Sequence, residues 1–162
     1  MAYVDPVSAS PTTPITEEVL LGVTNKSLDT LFRESPAGPI PDGDARGTVL
    51  AWPGTRLANP LAVLVFLVAW KGKVLDRRAA LLRNKITPLG LRLIKARLCY
   101  EHSWVDQREC IVLDYSKTSF VARMVRDEIR LVGPGLYLGV VWLWRRRVGW
   151  FTLRPASSVS AD

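Results

Sequence analysis

The feature that most constrains this chain is a change of hydrophobic period at Lys71. Beyond it, apolar residues recur at every second position, the spacing of strands with one buried face. Between Leu91 and His102, Ile94, Ala96, Leu98 and Tyr100 share one face, while Lys95, Arg97 and Glu101 share the other. Between Val125 and Val132, the odd positions Val125, Asp127, Ile129 and Leu131 alternate with Arg126, Glu128 and Arg130. Shorter runs at Lys71–Leu75, Ala80–Ile86, Arg108–Tyr115, Leu136–Trp144 and Val148–Leu153 complete the series. Turn chemistry separates them at Asp76–Ala79, Pro88-Leu89-Gly90, Ser103–Gln107, Gly133-Pro134-Gly135 and Arg145–Arg147. Residues 116–123 read as a short helix or crossover.

The first half is organised differently. Residues 1–15, rich in Pro, Ser and Thr, read as a disordered lead. Thr16 before Glu17 and Glu18 is an N-cap pattern opening a short helix. Ser27 is a candidate cap for a second helix that stops near Ser35-Pro36, with Leu28, Leu31 and Phe32 on one face. Residues 36–47 are dense in Pro and Gly and read as loop, with a short strand at Thr48–Trp52. Leu61–Trp70 is an apolar helix of ten residues, half of the roughly 20 that a membrane span requires. Residues 16–154 are expected to form one mainly β domain of seven to eight antiparallel strands with one or two N-terminal helices, and 155–162 a flexible tail. Meanders of this size favour closure, which removes exposed edges and leaves room for one small ligand.

Composition excludes several chemistries. The 162 residues are 48% hydrophobic and 23% charged, an ordinary globular balance. His102 is the only histidine, and no CxxC or HExxH spacing occurs, so neither a metal site nor a Ser-His-Asp triad is expected. P-loop and dinucleotide-binding glycine patterns are absent, and no cofactor is implied. Cys99 and Cys110 lie in apolar runs, as buried free thiols do. Met1–Pro6 lack the basic start and apolar core of a signal peptide. The expectation is a soluble, cytoplasmic protein, with a peripheral position at a membrane as the alternative.

The segment Trp70-Lys71-Gly72-Lys73-Val74-Leu75-Asp76 resembles the WxGKxFD segment of the bacterial GXWXG-type family of uncharacterised proteins. Upstream, Gly43-Asp44-Ala45-Arg46-Gly47 resembles its naming motif, with Ala45 where the pattern has its central Trp. Leu113-Asp114-Tyr115, Arg126–Ile129 and Leu136–Gly139 are similar to its later strands. The resemblance spans roughly residues 28–142. It implies a calycin-like (lipocalin-like) β-barrel binding a small ligand, with Trp70 and Lys73 among the candidate contacts, and it names no reaction.

The net charge is +7, unevenly placed. Residues 71–98 hold nine basic residues and one acid, Asp76. Lys71, Lys73, Arg83, Lys85, Lys95 and Arg97 would form one stripe if their strands are neighbours. Such a stripe is a solvated outer face or a site for an anionic partner: a lipid headgroup, a phosphorylated or carboxylate ligand, or nucleic acid. Nucleic acid is disfavoured, since no RNA-binding motif occurs and aromatics do not interleave with the cations. Trp142–Trp150 adds a cluster of Trp and Arg that reads as a charged turn flanked by core tryptophans or as a membrane-interface element.

The candidate binding residues are Trp70, Lys73, Tyr100, Asp114, Tyr115, Asp127 and Tyr137. Asp127 is the most informative, because a carboxylate on an apolar strand face must be paired, hydrogen-bonded or protonated. Tyr100 and His102 share the apolar parity of Leu98. Asp114, Tyr115 and Tyr137 lie in runs apolar on both faces, where parity does not assign a side. Three readings follow. One is a barrel binding a small hydrophobic, even anionic, molecule such as a fatty acid or isoprenoid. The second is an isomerase, cyclase or dehydratase working through an Asp/Tyr pair. The third is a peripheral membrane protein using Leu61–Trp70 with Lys71 and Lys73.

Overall fold

The computed structural model describes residues 15–51, 73–76, 81–84, 95–115 and 122–155. Two short helices, α1 (Glu17–Leu21) and α2 (Asn25–Glu34), precede the strands β1 (Gly43–Ala51), β2 (Lys73–Asp76), β3 (Leu81–Asn84), β4 (Lys95–His102), β5 (Glu109–Asp114), β6 (Val125–Gly133), β7 (Leu136–Leu143) and β8 (Arg146–Pro155). A 3-10 turn, Ala122–Met124, leads into β6. The protein is mainly β and its strands are antiparallel. Strands β4-β5-β6-β7-β8-β1 form one continuous ladder, and the four-residue β2 and β3 pair between β1 and β4. The pairing order thus returns to its start.

Strand alternation sorts the side chains into two layers. The inner face carries Ala45, Ala96, Leu98, Ile111, Leu113, Ile129, Tyr137, Val141, Phe151 and Leu153, all buried. The outer face of β7 and β8 carries Leu136, Leu138, Val140 and Trp150, covered by Leu20 of α1 and by Leu28 and Phe32 of α2. The Phe32 ring meets the Trp150 ring edge-on at 5.8 Å, a favoured aromatic geometry. Thr16 caps α1 as expected, its hydroxyl accepting from Val19 N–H. For α2 the cap is Thr24, not Ser27. The Thr24 hydroxyl accepts from the backbone N–H of Ser27, which is already inside the helix.

After α2 the chain crosses one end of the ring as a strap, residues 36–41. Leu131 N–H donates to Pro36 O at 2.9 Å. The Tyr100 hydroxyl of β4 donates to Gly38 O at 3.0 Å and the Tyr137 hydroxyl of β7 to Pro39 O at 2.6 Å. Ala37 is buried in the inner cluster and Ile40 packs against it. A strand then begins at Gly43, five residues earlier than Thr48, because Gly43–Ala45 pair with β2 and Ala45–Ala51 with β8. The last hairpin turns at Trp144-Arg145, since Leu143 already pairs with Arg146. The expected helix at Leu61–Trp70 lies outside the described residues. Among the described residues no helix is long and apolar enough to cross a membrane.

The single basic stripe does not form as expected. Lys73 stands opposite Ala45 and Asn84, whereas Arg83 stands opposite Val74 and Lys95. Directly opposed residues share a face, so Lys73 lies on the face of buried Ala45, opposite to that of Arg83, Lys95 and Arg97. The hairpin register between β2 and β3, which parity within one strand does not supply, makes the difference. Lys71 and Lys85 lie outside the described residues.

Candidate functional site

Beside the apolar inner cluster, a buried acid and a phenol meet where β5 ends beside β6. There the Tyr115 hydroxyl donates to Asp127 Oδ2 at 3.0 Å. Both residues are buried, at 2% and 3% exposure. Asp127 reaches this place because it alternates with Val125 and Ile129 on the inward side of β6. Tyr115 follows Leu113 with the same parity. Burial first, and then the charge and hydrogen bond of Asp127, hold the Tyr115 phenol well above its usual range. It therefore stays protonated and remains a donor at any physiological pH.

The register also gives the depth of this pair. Asp127 opposes Leu113 and Val141, and Val141 opposes Gly149. Leu131, which meets the strap, is four residues further along β6, about 13 Å away. The strap therefore closes one end of the ring, and the Tyr115–Asp127 pair stands toward the other. On β1 the inner positions are Gly43, Ala45 and Gly47, opposite Leu75, Lys73 and Leu153. Together with Ala96 of β4 they put small residues on that side of the interior.

The remaining sequence candidates fall into different places. Tyr137 is buried on the inner face, but its hydroxyl is committed to the strap. Tyr100 has inner-face parity yet sits at the strap end, 45% exposed. Asp114 opposes Arg97 and Arg126 on the outer face and does not join the interior. His102 is exposed, and its Nδ1 lies 2.9 Å from Gln107 O. A carbonyl only accepts, so Nδ1 carries the proton there. Lys73 is placed by backbone register alone, and Trp70 lies outside the described residues. Among the described residues no cluster of His, Cys, Asp or Glu could hold a metal ion.

Sequence reasoning missed the buried charges on the outer face. Glu128 and Arg130 alternate with the inward residues, yet both are fully buried. Glu128 accepts from Ser103 Oγ at 2.6 Å, Trp104 N at 2.9 Å and Arg126 Nε at 2.8 Å. Arg126 also reaches Glu101 at 2.7 Å and His102 O at 2.9 Å. Its guanidinium lies 4.6 Å from the centroid of Trp104, as does that of Arg145. Arg130 forms a two-point ion pair with Asp106. The Arg-x-Glu-x-Arg alternation was the available signal, because long charged side chains of both signs on one strand face can pair along it.

The thiols are not part of a reactive centre. Burial, above all, pushes Cys99 up to about 11 and Cys110 up to about 12, and both are free. At pH 8 alkylation with iodoacetamide is expected to be slower than for a free cysteine by on the order of a hundredfold at Cys99 and a thousandfold at Cys110, because the thiolate is the nucleophile. Mass spectrometry of timed samples measures this. Labelling of either residue at the rate of a small thiol would contradict it.

The fold and the site together define a mainly β protein of antiparallel strands with two short helices, in which, among the described residues, a buried acid–phenol pair lies beside an apolar cluster. The chain is similar to the crystal structure of a protein from Thermomonospora curvata. The two share 18% sequence identity over 83% of this chain and 88% of that one, at a TM-score of 0.56; that likeness concerns the fold. No protein-family model and no curated protein matches the sequence.

Proposed function

We propose that the protein is a calycin-like barrel that binds a small hydrophobic molecule in its interior. The observation that carries this reading is the Tyr115–Asp127 pair, a buried phenol hydrogen-bonded to a carboxylate beside the apolar inner cluster. A buried ionisable pair is weak evidence for stability, because desolvation offsets most of its attraction. A few placed polar groups in an apolar enclosure are what orients a small ligand. The small residues of β1 and β4 and the strap at the opposite end fit entry from the Asp127 side. The resemblance to the GXWXG-type family belongs to this reading, and Gly43–Gly47 and Lys73–Asp76 from its two leading motif segments lie on the paired strands β1 and β2.

The pair also narrows the ligand. A carboxylate head group beside Asp127 would be repelled in a low-dielectric interior, whereas a hydroxyl or carbonyl head can bond to the acid or the phenol. An isoprenoid alcohol is favoured over a fatty acid. In this reading the protein works in the cytoplasm, at or close to a membrane. Native mass spectrometry of the purified chain, followed by titration with farnesol and with palmitate, tests it. Binding of farnesol, weakened about fivefold to tenfold in Tyr115→Phe, is expected. Absence of both a co-purifying ligand and titratable binding would sink the reading.

The same contact favours a second reading, an isomerase, cyclase or dehydratase, since an acid beside a phenol can relay a proton. Asp127→Asn and Tyr115→Phe in the native host, with metabolite profiles unchanged and the protein folded, would remove it.

A further inference from the structure

We propose that the end of the ring formed by the β7–β8 turn docks on an anionic lipid bilayer. This deepens the ligand-binding reading, which supplies a reason for docking, but the surface rests on separate observations. Leu143 pairs with Arg146, so Trp144 and Arg145 make a two-residue turn, with φ of +47° and +63°. Asn-Gly is the sequence that such turns prefer, and a bulky aromatic residue at positive φ is an outlier. Backbone strain of this kind persists where the surroundings hold it, and it clusters at functional sites. Here the Trp144 N–H is held by Met124 O at 3.0 Å. The Arg145 guanidinium lies over the Trp104 ring, which in turn meets Trp142 edge-on at 5.6 Å. The turn thus presents the Trp144 side chain to solvent, 62% exposed, from a braced support.

The charge around it has one sign. Residues 122–126 and 143–147 contain five arginines and no acid. Arg126 pairs with Glu101 and Glu128, and Arg147 with Asp29; Arg123, Arg145, Arg146 and Arg147 are all exposed. An amphipathic ring beside several cations matches the headgroup level of an anionic membrane, where Trp is enriched and basic residues are attracted. Single-stranded nucleic acid would call for a basic groove with successive stacking aromatics, and this turn exposes one. The location supports the same partner. The turn adjoins the start of β6, the end bearing Tyr115 and Asp127, and lies opposite the strap. Docking by this end would point the entry of the interior at the bilayer.

The test is co-sedimentation of the full chain with phosphatidylcholine vesicles, with and without phosphatidylglycerol, at about 50 mM and about 500 mM salt. Sedimentation with the mixed vesicles at low salt is expected, reduced at high salt and absent with phosphatidylcholine alone. Trp144→Ala should weaken it at least tenfold, and Arg145→Glu with Arg146→Glu should abolish it. Combining Trp144→Asn with Arg145→Gly removes the strain. It should raise the melting temperature and still lose vesicle binding, so a loss cannot be assigned to misfolding. The proposal is overturned if the wild type does not sediment with anionic vesicles, or if the folded variants sediment as it does. Binding of a fluorescent oligonucleotide under conditions where vesicles are not bound would also overturn it. Farnesol titration without vesicles should be unchanged by Trp144→Ala. If that titration fails while docking holds, the ligand reading falls and the docking surface stands.

Discussion

Replacing Arg130 by alanine is expected to destabilise the protein by about 3–5 kcal/mol, the cost of breaking a buried ion pair by removing one partner. Arg130 is fully buried, and its five N–H groups are all used. Nε donates to Glu109 O at 3.0 Å, and Nη1 to Phe32 O at 2.9 Å and Asp106 Oδ2 at 2.8 Å. Nη2 donates to Asp106 Oδ1 at 2.7 Å and Arg108 O at 3.0 Å. The guanidinium also lies 4.7 Å from the Phe32 ring centroid. One side chain of β6 thus ties together the last turn of α2, the 103–108 turn and the start of β5. Alanine would leave Asp106 and three carbonyls short of partners, each with its own desolvation cost. Lysine keeps the charge but not the planar fork, so Arg130→Lys should recover only a minor part. Urea unfolding of the three proteins measures this. A loss under about 1 kcal/mol for alanine would show that water replaces the guanidinium without penalty.

The same ion pair gives the fold an acid limit. The Arg130 hydrogen bonds hold the Asp106 carboxyl below its ordinary value, against the opposing effect of burial. At Asp29 burial pushes upward, but the bonds from Arg33 and Arg147 outweigh it and the carboxyl is again lowered. A carboxylate lowered on folding contributes stability that is full above its unfolded value, near 3.9. That contribution is lost as pH falls through the folded value. The Arg130→Ala protein should therefore lose less stability than the wild type between about pH 5 and pH 2.

What was legible in the sequence followed the range of each signal. Period-two alternation acts within one strand, and it placed Asp127 among inward residues and Arg126, Glu128 and Arg130 on the reverse. It says nothing of what lies over a face. The cover on the outer side is α2 and the 103–108 turn, distant in sequence from β6, so the burial of Glu128 and Arg130 was not legible. The partner of Asp127 was hidden for another reason. Cys110, Ile111, Val112 and Leu113 are all buried, one face against the interior and the other under that cover, so β5 carries no alternation with which to orient Tyr115. β1 was read too short because Gly43–Gly47 has turn composition and becomes strand only through its pairing with β2 and β8. The basic stripe failed at the register between β2 and β3, a property of two strands that no single strand encodes.

Gly139→Ala is expected to cost about 1–3 kcal/mol, the range for overpacking a filled core, although glycine in mid-strand is itself a weakness that alanine ordinarily relieves. The sign is decided by Phe151. Gly139 and Phe151 are directly opposed on β7 and β8, and the buried ring lies across the glycine. A Cβ there would stand 2.2 Å from Cζ and 2.4 and 2.5 Å from the two Cε atoms. Backbone fixes one side of this clash, so the ring must move. It is part of the inner cluster, one row from Asp127, so its displacement disturbs that face. The substitution should thus weaken farnesol binding as well as stability, if the interior is the ligand site. A double-mutant cycle separates the cause from generic damage. Phe151→Leu alone removes packing and destabilises, but it also removes the atoms that clash. Gly139→Ala in that background should then be nearly neutral, or stabilising through the better strand former. Strictly additive losses in thermal unfolding would show that the ring does not set the requirement for glycine.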